Sequence, residues 1–329
     1  MGAPAASLDS IFARENNPHP TLPQLGGGRC HWWGAENVSL GPHLLLALME
    51  GTVAAFVLAL TALGLALVFG VMRIVNVAHG EFFMLGAVFA WAFAHLIGNP
   101  ALGFLVAMIA SPLIVGGAAL AIDRVILRRF NYQPEATIVA TIGLLYVIQQ
   151  LVLIFYGPDA RSVEAPINFR IQLPWFGYSG YKLVVAGIAA LLLLATWFGI
   201  AKTRIGLVMR ATQFDSETAQ AFGIPVDRVY AAVFAVGAML AAIAGVLIVP
   251  IKQAYYLMGL DPLLLSFIVV IIGGLGSLRG AVIAAFVIGI SDGVISVFFS
   301  PNLSKILATL LVALVLIFRP EGLFGGKGR

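Results

Sequence analysis

Few residues in this chain are of the kinds that do chemistry, and their spacing narrows what chemistry is open to them. Gly289-Ile290-Ser291-Asp292-Gly293 has the G-x-S-x-G form that presents a nucleophilic serine. With His79 or His95 as the base, it would describe an intramembrane serine protease. The same five residues lie inside an apolar stretch, where small residues let two helices approach closely, and that packing produces the pattern without any catalysis. A phosphate-binding loop is missing, since Gly326-Lys327 is followed by Gly328 rather than Ser or Thr. The sequence has no H-E-x-x-H pair for zinc, and its single cysteine, Cys30, excludes an internal disulfide and a cysteine-based metal centre. Neither a metal nor a cofactor is expected.

The charged groups that interrupt apolar stretches are the next candidates. An ionisable side chain within a membrane span costs at least about 2.5 kcal/mol on insertion scales, so Asp292 should face a pathway or a partner. Glu50 and Glu81 raise the same question near the first two apolar stretches. Arg73, Asn76, His79, Gly80 and Glu81 form a polar island within residues 70–86, and a second break, rich in glycine, occupies residues 273–280. Paired breaks in two hydrophobic halves mark places where unwound backbone lines a translocation site. Asn76, His79, Glu81 and Asp292 are therefore the candidate pathway residues. The alternative is structural: Glu50 caps a helix, Glu81 sits in the interfacial layer, and the breaks are tight turns.

Residues 202–228 mix charges of both signs and contain a helix-compatible run, 211–222, stopped by Gly223 and Pro225. Within it lies Glu217-Thr218-Ala219-Gln220-Ala221-Phe222-Gly223, a Glu-x-Ala-x-x-x-Gly pattern. A short helix lying along a membrane surface and ended by glycine can seat in a groove on another protein.

The elements that must position these groups follow from composition. Of the 329 residues, 60% are hydrophobic and 10% charged, against roughly 25% charged in soluble domains. A soluble enzyme, a nucleic-acid binder and a disordered scaffold are excluded. About 20 apolar residues cross a hydrocarbon core roughly 30 Å thick. Uncharged or nearly uncharged stretches fall at 44–72, 82–97, 101–122, 137–156, 183–201, 229–251, 262–278, 280–299 and 306–318. The expected fold is all-α, a polytopic membrane protein of eight or nine spans over 44–318 with a helix at its cytoplasmic surface. Threading nine spans with the C-terminus inside places twelve of the 19 Lys and Arg residues in cytoplasmic segments, among them Arg73, Arg128, Lys202 and Arg279. That bias favours a cytoplasmic tail at 319–329. Residues 1–43, with prolines and the triplet Gly26–Gly28, read as an irregular extension or as part of an over-extended reading frame whose real start is Met49. In the long loop 157–182, the alternation over 168–173 predicts a short strand.

Four stretches in order now resemble the LivH-type permease subunits of branched-chain amino-acid ABC importers. They are GLALVFGVMRIVNVAHGEFFMLGA at 64–87, the segment from Glu217 into GIPVDRVYAAVFAVGAMLAAIAGVL, GGLGSLRGAVIAAFVIG at 273–289, and RPEGLFG at 319–325. The resemblance covers roughly 51–325. It implies a subunit with no ATPase site of its own, supplying half of a pathway for branched-chain or other small amino acids, urea or short amides. The implied partners are a homologous second permease, two cytoplasmic ATPase subunits, an extracytoplasmic solute-binding protein and membrane lipid, in a bacterial inner membrane. It also implies that Glu217, Ala219 and Gly223 belong to the loop that couples to the ATPase, with Thr218 in place of the commoner Ala. An ion-driven secondary carrier is the alternative outside this family.

Overall fold

The computed structural model describes residues 40–318. The long uncharged runs become helices, as backbone groups in lipid require. They are α1 (Leu40–Met72), α2 (His79–Ile97), α3 (Pro100–Val125), α4 (Pro134–Tyr156), α5 (Gly180–Lys202), α6 (Arg204–Phe214), α7 (Ser216–Ala221), α8 (Val226–Ile248), α9 (Leu260–Gly273), α10 (Leu278–Phe298) and α11 (Pro301–Phe318). Seven of them, α1 to α5, α8 and α10, are long and apolar enough to cross a membrane; α9 and α11 are shorter apolar helices. The chain is an all-α polytopic membrane protein. A hairpin pairs β1 (Arg170–Gln172) antiparallel with β2 (Gly177–Ser179), where the alternating sequence predicts a strand. Helix α1 starts at Leu40, four residues ahead of its uncharged run. The rest of 1–43, with Cys30, and the tail 319–329 lie outside the described residues.

Helices α1 and α8 are apolar on every face, and such helices are buried. Both are mostly enclosed, and α10, α2 and α3 pack around them. Small residues set the spacing: a Cβ on Gly293 would fall 2.3 Å from the Gly51 Cα, and one on Gly289 2.4 Å from the Ala55 Cα. At the α2–α8 crossing, a Cβ on Gly86 would fall 2.1 Å from the Ala242 carbonyl oxygen. By contrast, α4 buries a single stripe, including Thr137, Thr141, Leu145, Gln149, Val152 and Tyr156.

Hydrogen bonds and ion pairs sort the helix ends into two sets. At one end, Gln213 Nε2 donates to the Gly276 carbonyl at 3.0 Å and Arg128 pairs with Asp227 at 2.8 Å. At the other, Lys182 pairs with Glu50, Lys305 with Asp261, and Arg161 bridges Ala254 through two backbone hydrogen bonds of 2.9 Å.

Two helices begin inside the bundle. After Met72 the chain turns at Arg73, with φ +55, and runs without helix to His79. His79 Nε2 lies 3.0 Å from the Thr61 carbonyl oxygen. Thr61 precedes the end of α1 by three turns, about 16 Å along the axis, so residues 73–78 climb back along α1 before α2 starts. Helix α9 begins at the same depth: a Cβ on Gly80 would fall 2.2 Å from the Gly259 carbonyl oxygen, and one on Gly259 would fall 2.2 Å from that of Gly80. Its 14 residues span about 21 Å, so α9 reaches only part-way across.

Candidate functional site

Because α9 starts deep in the bundle, space is left above it. A cavity of about 340 Å³ lies between α1, α10, the start of α9 and the segment that follows α8. Its walls are apolar, with Val53, Val57, Leu58, Phe83, Leu265 and Ile288. Glu50, Lys252, Asp261 and Asp292 also line it, at the helix ends that carry the Lys182–Glu50 and Lys305–Asp261 pairs. Asp292 accepts a hydrogen bond of 2.5 Å from Ser304 Oγ on α11. The segment over α9 is fixed from behind. Ala254, fully buried, accepts from the Tyr156 hydroxyl at 3.0 Å, and the Arg161 guanidinium sits 4.4 Å from the Trp91 ring and 4.6 Å from the Tyr156 ring.

The polar island lies next to this cavity, separated from it by packed side chains. Thr61 lines the cavity, and its carbonyl meets His79. Asn76, His79 and Glu81 are themselves fully buried and line no part of the cavity. Asn76 Oδ1 accepts from the Ala78 amide at 3.1 Å, the Val77 amide donates to Thr141 Oγ1 at 3.2 Å, and Gln149 Nε2 donates to Glu81 Oε1 at 2.9 Å. Asn76 Nδ2, His79 Nδ1 and Glu81 Oε2 have no hydrogen-bond partner among the described residues. The structure thus brings Asn76, His79 and Glu81 together as a collar around the unwound start of α2, and sets Asp292 apart in the open cavity.

At the opposite end, α7 and the two residues after it carry the Glu-x-Ala-x-x-x-Gly pattern, with α6 leading into them. The single helix expected over 211–222 is corrected to two helices. Asp215 takes an extended conformation (φ −153, ψ 106), and its carboxylate accepts from the amides of Glu217 and Thr218, both at 3.0 Å, and from the Thr218 hydroxyl at 2.5 Å. An aspartate with this pattern is an N-cap, which satisfies free amides at a helix start. The bonds from Thr218, side chain before backbone, hold its carboxyl below the usual aspartate range. Two residues past the end of α7, the chain turns away at Gly223, with φ +83, and the Ile224 amide returns to the Ala219 carbonyl at 3.1 Å. Ala219 faces inward, whereas Glu217 is exposed, and Phe214 and Phe222 stand 88% and 83% exposed on either side of α7. Ala219 therefore anchors the helix, and Glu217 and the two phenylalanines are presented outward.

The G-x-S-x-G match is accounted for by packing. Gly289 and Gly293 make the close contacts with Ala55 and Gly51, while Ser291 is exposed inside a continuous helix. A nucleophile elbow needs a sharp strand-to-helix turn, and both histidines are engaged elsewhere, His79 at Thr61 and His95 stacked on Trp91 at 5.3 Å. The protease reading is set aside.

Sequence comparison decides the family. The family described as branched-chain amino acid transport system / permease component matches residues 47–316. The chain belongs to this family. It is the permease component of a branched-chain amino acid ABC transport system, a multi-pass membrane subunit and not itself an enzyme. The permease is 29% identical over 302 residues to the high-affinity branched-chain amino acid transport system permease protein LivH of Escherichia coli (strain K12), covering 86% of this chain and 96% of that one. It is 27% identical over 304 residues to BraD, the corresponding protein of Pseudomonas aeruginosa, with the same coverage, and 28% identical over 285 residues to a probable LivH of Methanocaldococcus jannaschii, covering 82% and 88%. The solved structure "PsaBC from Streptococcus pneumoniae in complex with Fab" matches at a TM-score of 0.47 and 12% identity over 84% of this chain and 92% of that one, too loose a match to carry an argument.

Several residues that build the site escaped the sequence reading. Lys182, Asp261 and Lys305 form its ion pairs from positions 132 and 44 residues away from their partners, a separation no local pattern reveals. Lys252 reads as an ordinary loop lysine. Asp215 carries a local signal: an aspartate followed by Ser-Glu-Thr is a cap pattern inside the helix-compatible run 211–222.

Proposed function

We propose that this chain forms half of the import pathway for branched-chain or other small amino acids, and that it works with a homologous second permease, two cytoplasmic ATPase subunits and an extracytoplasmic solute-binding protein. The observation that carries the reading is the polarity of the molecule. An apolar cavity with charged edges opens at one end of the bundle, and a capped helix flanked by two exposed phenylalanines projects at the other. Permease subunits have no ATP site, so conformational work must enter from another chain.

In this reading Glu217, Ala219 and Gly223 form the coupling element, with α6 and α7 in the cytoplasm and the C-terminus on the same side. Closure of the ATPase subunits on ATP pushes α7, and α6 passes the displacement to the bundle through Gln213, which holds the Gly276 carbonyl at the turn between α9 and α10. That turn ends the half-length helix whose other end floors the cavity, so α9 has the right connections to link the two ends. A rigid element with two packings is the usual carrier of such coupling. Asp292 edges the pathway from the cavity, and Asn76, His79 and Glu81 support it from behind at the point where α2 and α9 meet.

Cross-linking tests this. With Phe222→Cys in the assembled importer, a bifunctional thiol reagent should join this chain to a cysteine in the groove of the ATPase subunit, and the same residue should resist an impermeant thiol reagent in intact cells. Ready labelling from outside, or no cross-link under conditions where the complex purifies intact, would overturn the assignment of this end to the ATPase.

A further inference from the structure

Four ionisable side chains line the cavity, and two of them are already neutralised. Glu50 is paired with Lys182 at 2.5 Å and Asp261 with Lys305 at 2.6 Å. Asp292 has the Ser304 hydroxyl but no cation, and the Lys252 ammonium has neither an ion pair nor a hydrogen bond among the described residues. The cavity is thus left with one carboxylate and one ammonium that have no ionic partner, set against an aliphatic and aromatic wall.

We propose that Lys252 and Asp292 form a zwitterion filter within the permease itself, Lys252 receiving the α-carboxylate of the cargo and Asp292 its α-ammonium. This rests on the reading of the cavity as the pathway. Lys252 is exposed and Asp292 half-buried at the rim of the cavity, so both charges are open to a solute entering it. Here the two charges have opposite sign, so a solute carrying both satisfies both on entry. An amine or a carboxylic acid with the same aliphatic chain satisfies one and leaves the other facing a group it repels or fails to reach, and discrimination by an unmet polar group is stronger than by shape alone. The apolar wall then takes the side chain, with Val57, Leu58 and Phe83 opposite Leu265 and Ile288. The filter acts after the solute-binding protein has released its cargo, and makes the permease a second point of selection.

The test uses the complete importer in proteoliposomes, with saturating L-leucine-loaded binding protein and with uptake and ATP hydrolysis measured together. Lys252→Gln and Asp292→Asn keep side-chain size, and the Asn keeps an acceptor for Ser304. Each should lower leucine moved per ATP hydrolysed about tenfold, the loss of one charge-assisted hydrogen bond, with ATP hydrolysis itself retained. Gln253 lines the cavity beside Lys252; in the purified complex without binding protein, L-leucine should protect Gln253→Cys from alkylation, whereas leucinamide and 4-methylpentanoate should not. Wild-type coupling in both variants, or equal protection by all three compounds, overturns the filter. A wild-type importer that moves leucine while both variants match it refutes the filter alone; one that moves no amino acid refutes the functional reading as well.

Discussion

Replacing Gly223 by valine isolates the coupling element, because the structure makes the cost of that change one of backbone conformation alone. A Cβ at this position would meet no heavy atom within 4 Å, so there is no clash to relieve. The φ of +83 is the entire obstacle. An L-residue in the left-handed region loses roughly 1–2 kcal/mol, and a β-branched one stands at the upper end. Helix α7 has six residues and no stability of its own at that length, so it depends on Asp215 at one end and Gly223 at the other. A loss of 1–2 kcal/mol lowers the ratio of ordered to disordered α7 roughly 5- to 30-fold, and the ordered fraction by at most that. The assay is purification of the importer through this chain, scoring the ATPase subunit retained and the solute moved per ATP. Gly223→Val should lower both within that limit, Gly223→Ala less, and Gly223→Asn least, because asparagine tolerates the left-handed region. Wild-type behaviour in Val, or Asn as damaging as Val, would refute the argument from conformation.

The other predictions concern the cap, the packing and the two polar clusters. The lowered Asp215 carboxyl contributes stability that is complete above the ordinary aspartate range and lost as pH falls through its depressed value; hydrogen exchange should show the Glu217 and Thr218 amides protected at neutral pH and released as the pH falls below the ordinary aspartate range, and release near neutrality would contradict the cap. Gly86→Val drives a side chain into the Ala242 carbonyl and should cost about 1–3 kcal/mol or more, read as a lower thermal inactivation midpoint in detergent; an unchanged midpoint would mean that α2 and α8 do not meet there. Glu81→Gln keeps an acceptor for Gln149 and should assemble normally with lowered uptake, whereas Glu81→Leu strands a buried amide at about 1–3 kcal/mol; equal thermal stability of the two would remove that hydrogen bond from the account. Arg161→Ala removes two ring contacts, about 0.5–2 kcal/mol each, and should speed alkylation of a cysteine at Gln253 by freeing the segment around Ala254; an unchanged rate would show that the backbone bridge suffices.

Much of this architecture was legible in the sequence, because lipid leaves the backbone few choices. Uncharged runs had to become helices, and the boundaries at Met72, Ile97 and Tyr156 fall where the runs stop. The two glycine-marked breaks were also visible, but their depth was not. Whether residues 73–78 form a surface turn or climb back into the bundle is decided by His79 meeting Thr61 and by Gly80 meeting Gly259, contacts between distant parts of the chain. The same limit hid the cavity, whose existence follows from α9 starting late. Asp292 stood out as a charge in an apolar run, but its relation to Lys252 depends on the path of residues 249–259, which carry no periodic signal. The cap at Asp215 was missed for a different reason: helix propensity continues through it, and only the Asp-Ser-Glu-Thr order reports the break.

The central claim is that this chain moves amino acids only when ATP is spent by other subunits. Proteoliposomes holding both permeases and the ATPase subunits, given loaded binding protein outside and ATP at the ATPase face, should accumulate L-leucine against its gradient, should stop when ATP or the binding protein is removed, and should slow with Gly223→Val. Accumulation by this chain without ATPase subunits, driven by a proton or sodium gradient, would contradict the account and identify a secondary carrier instead.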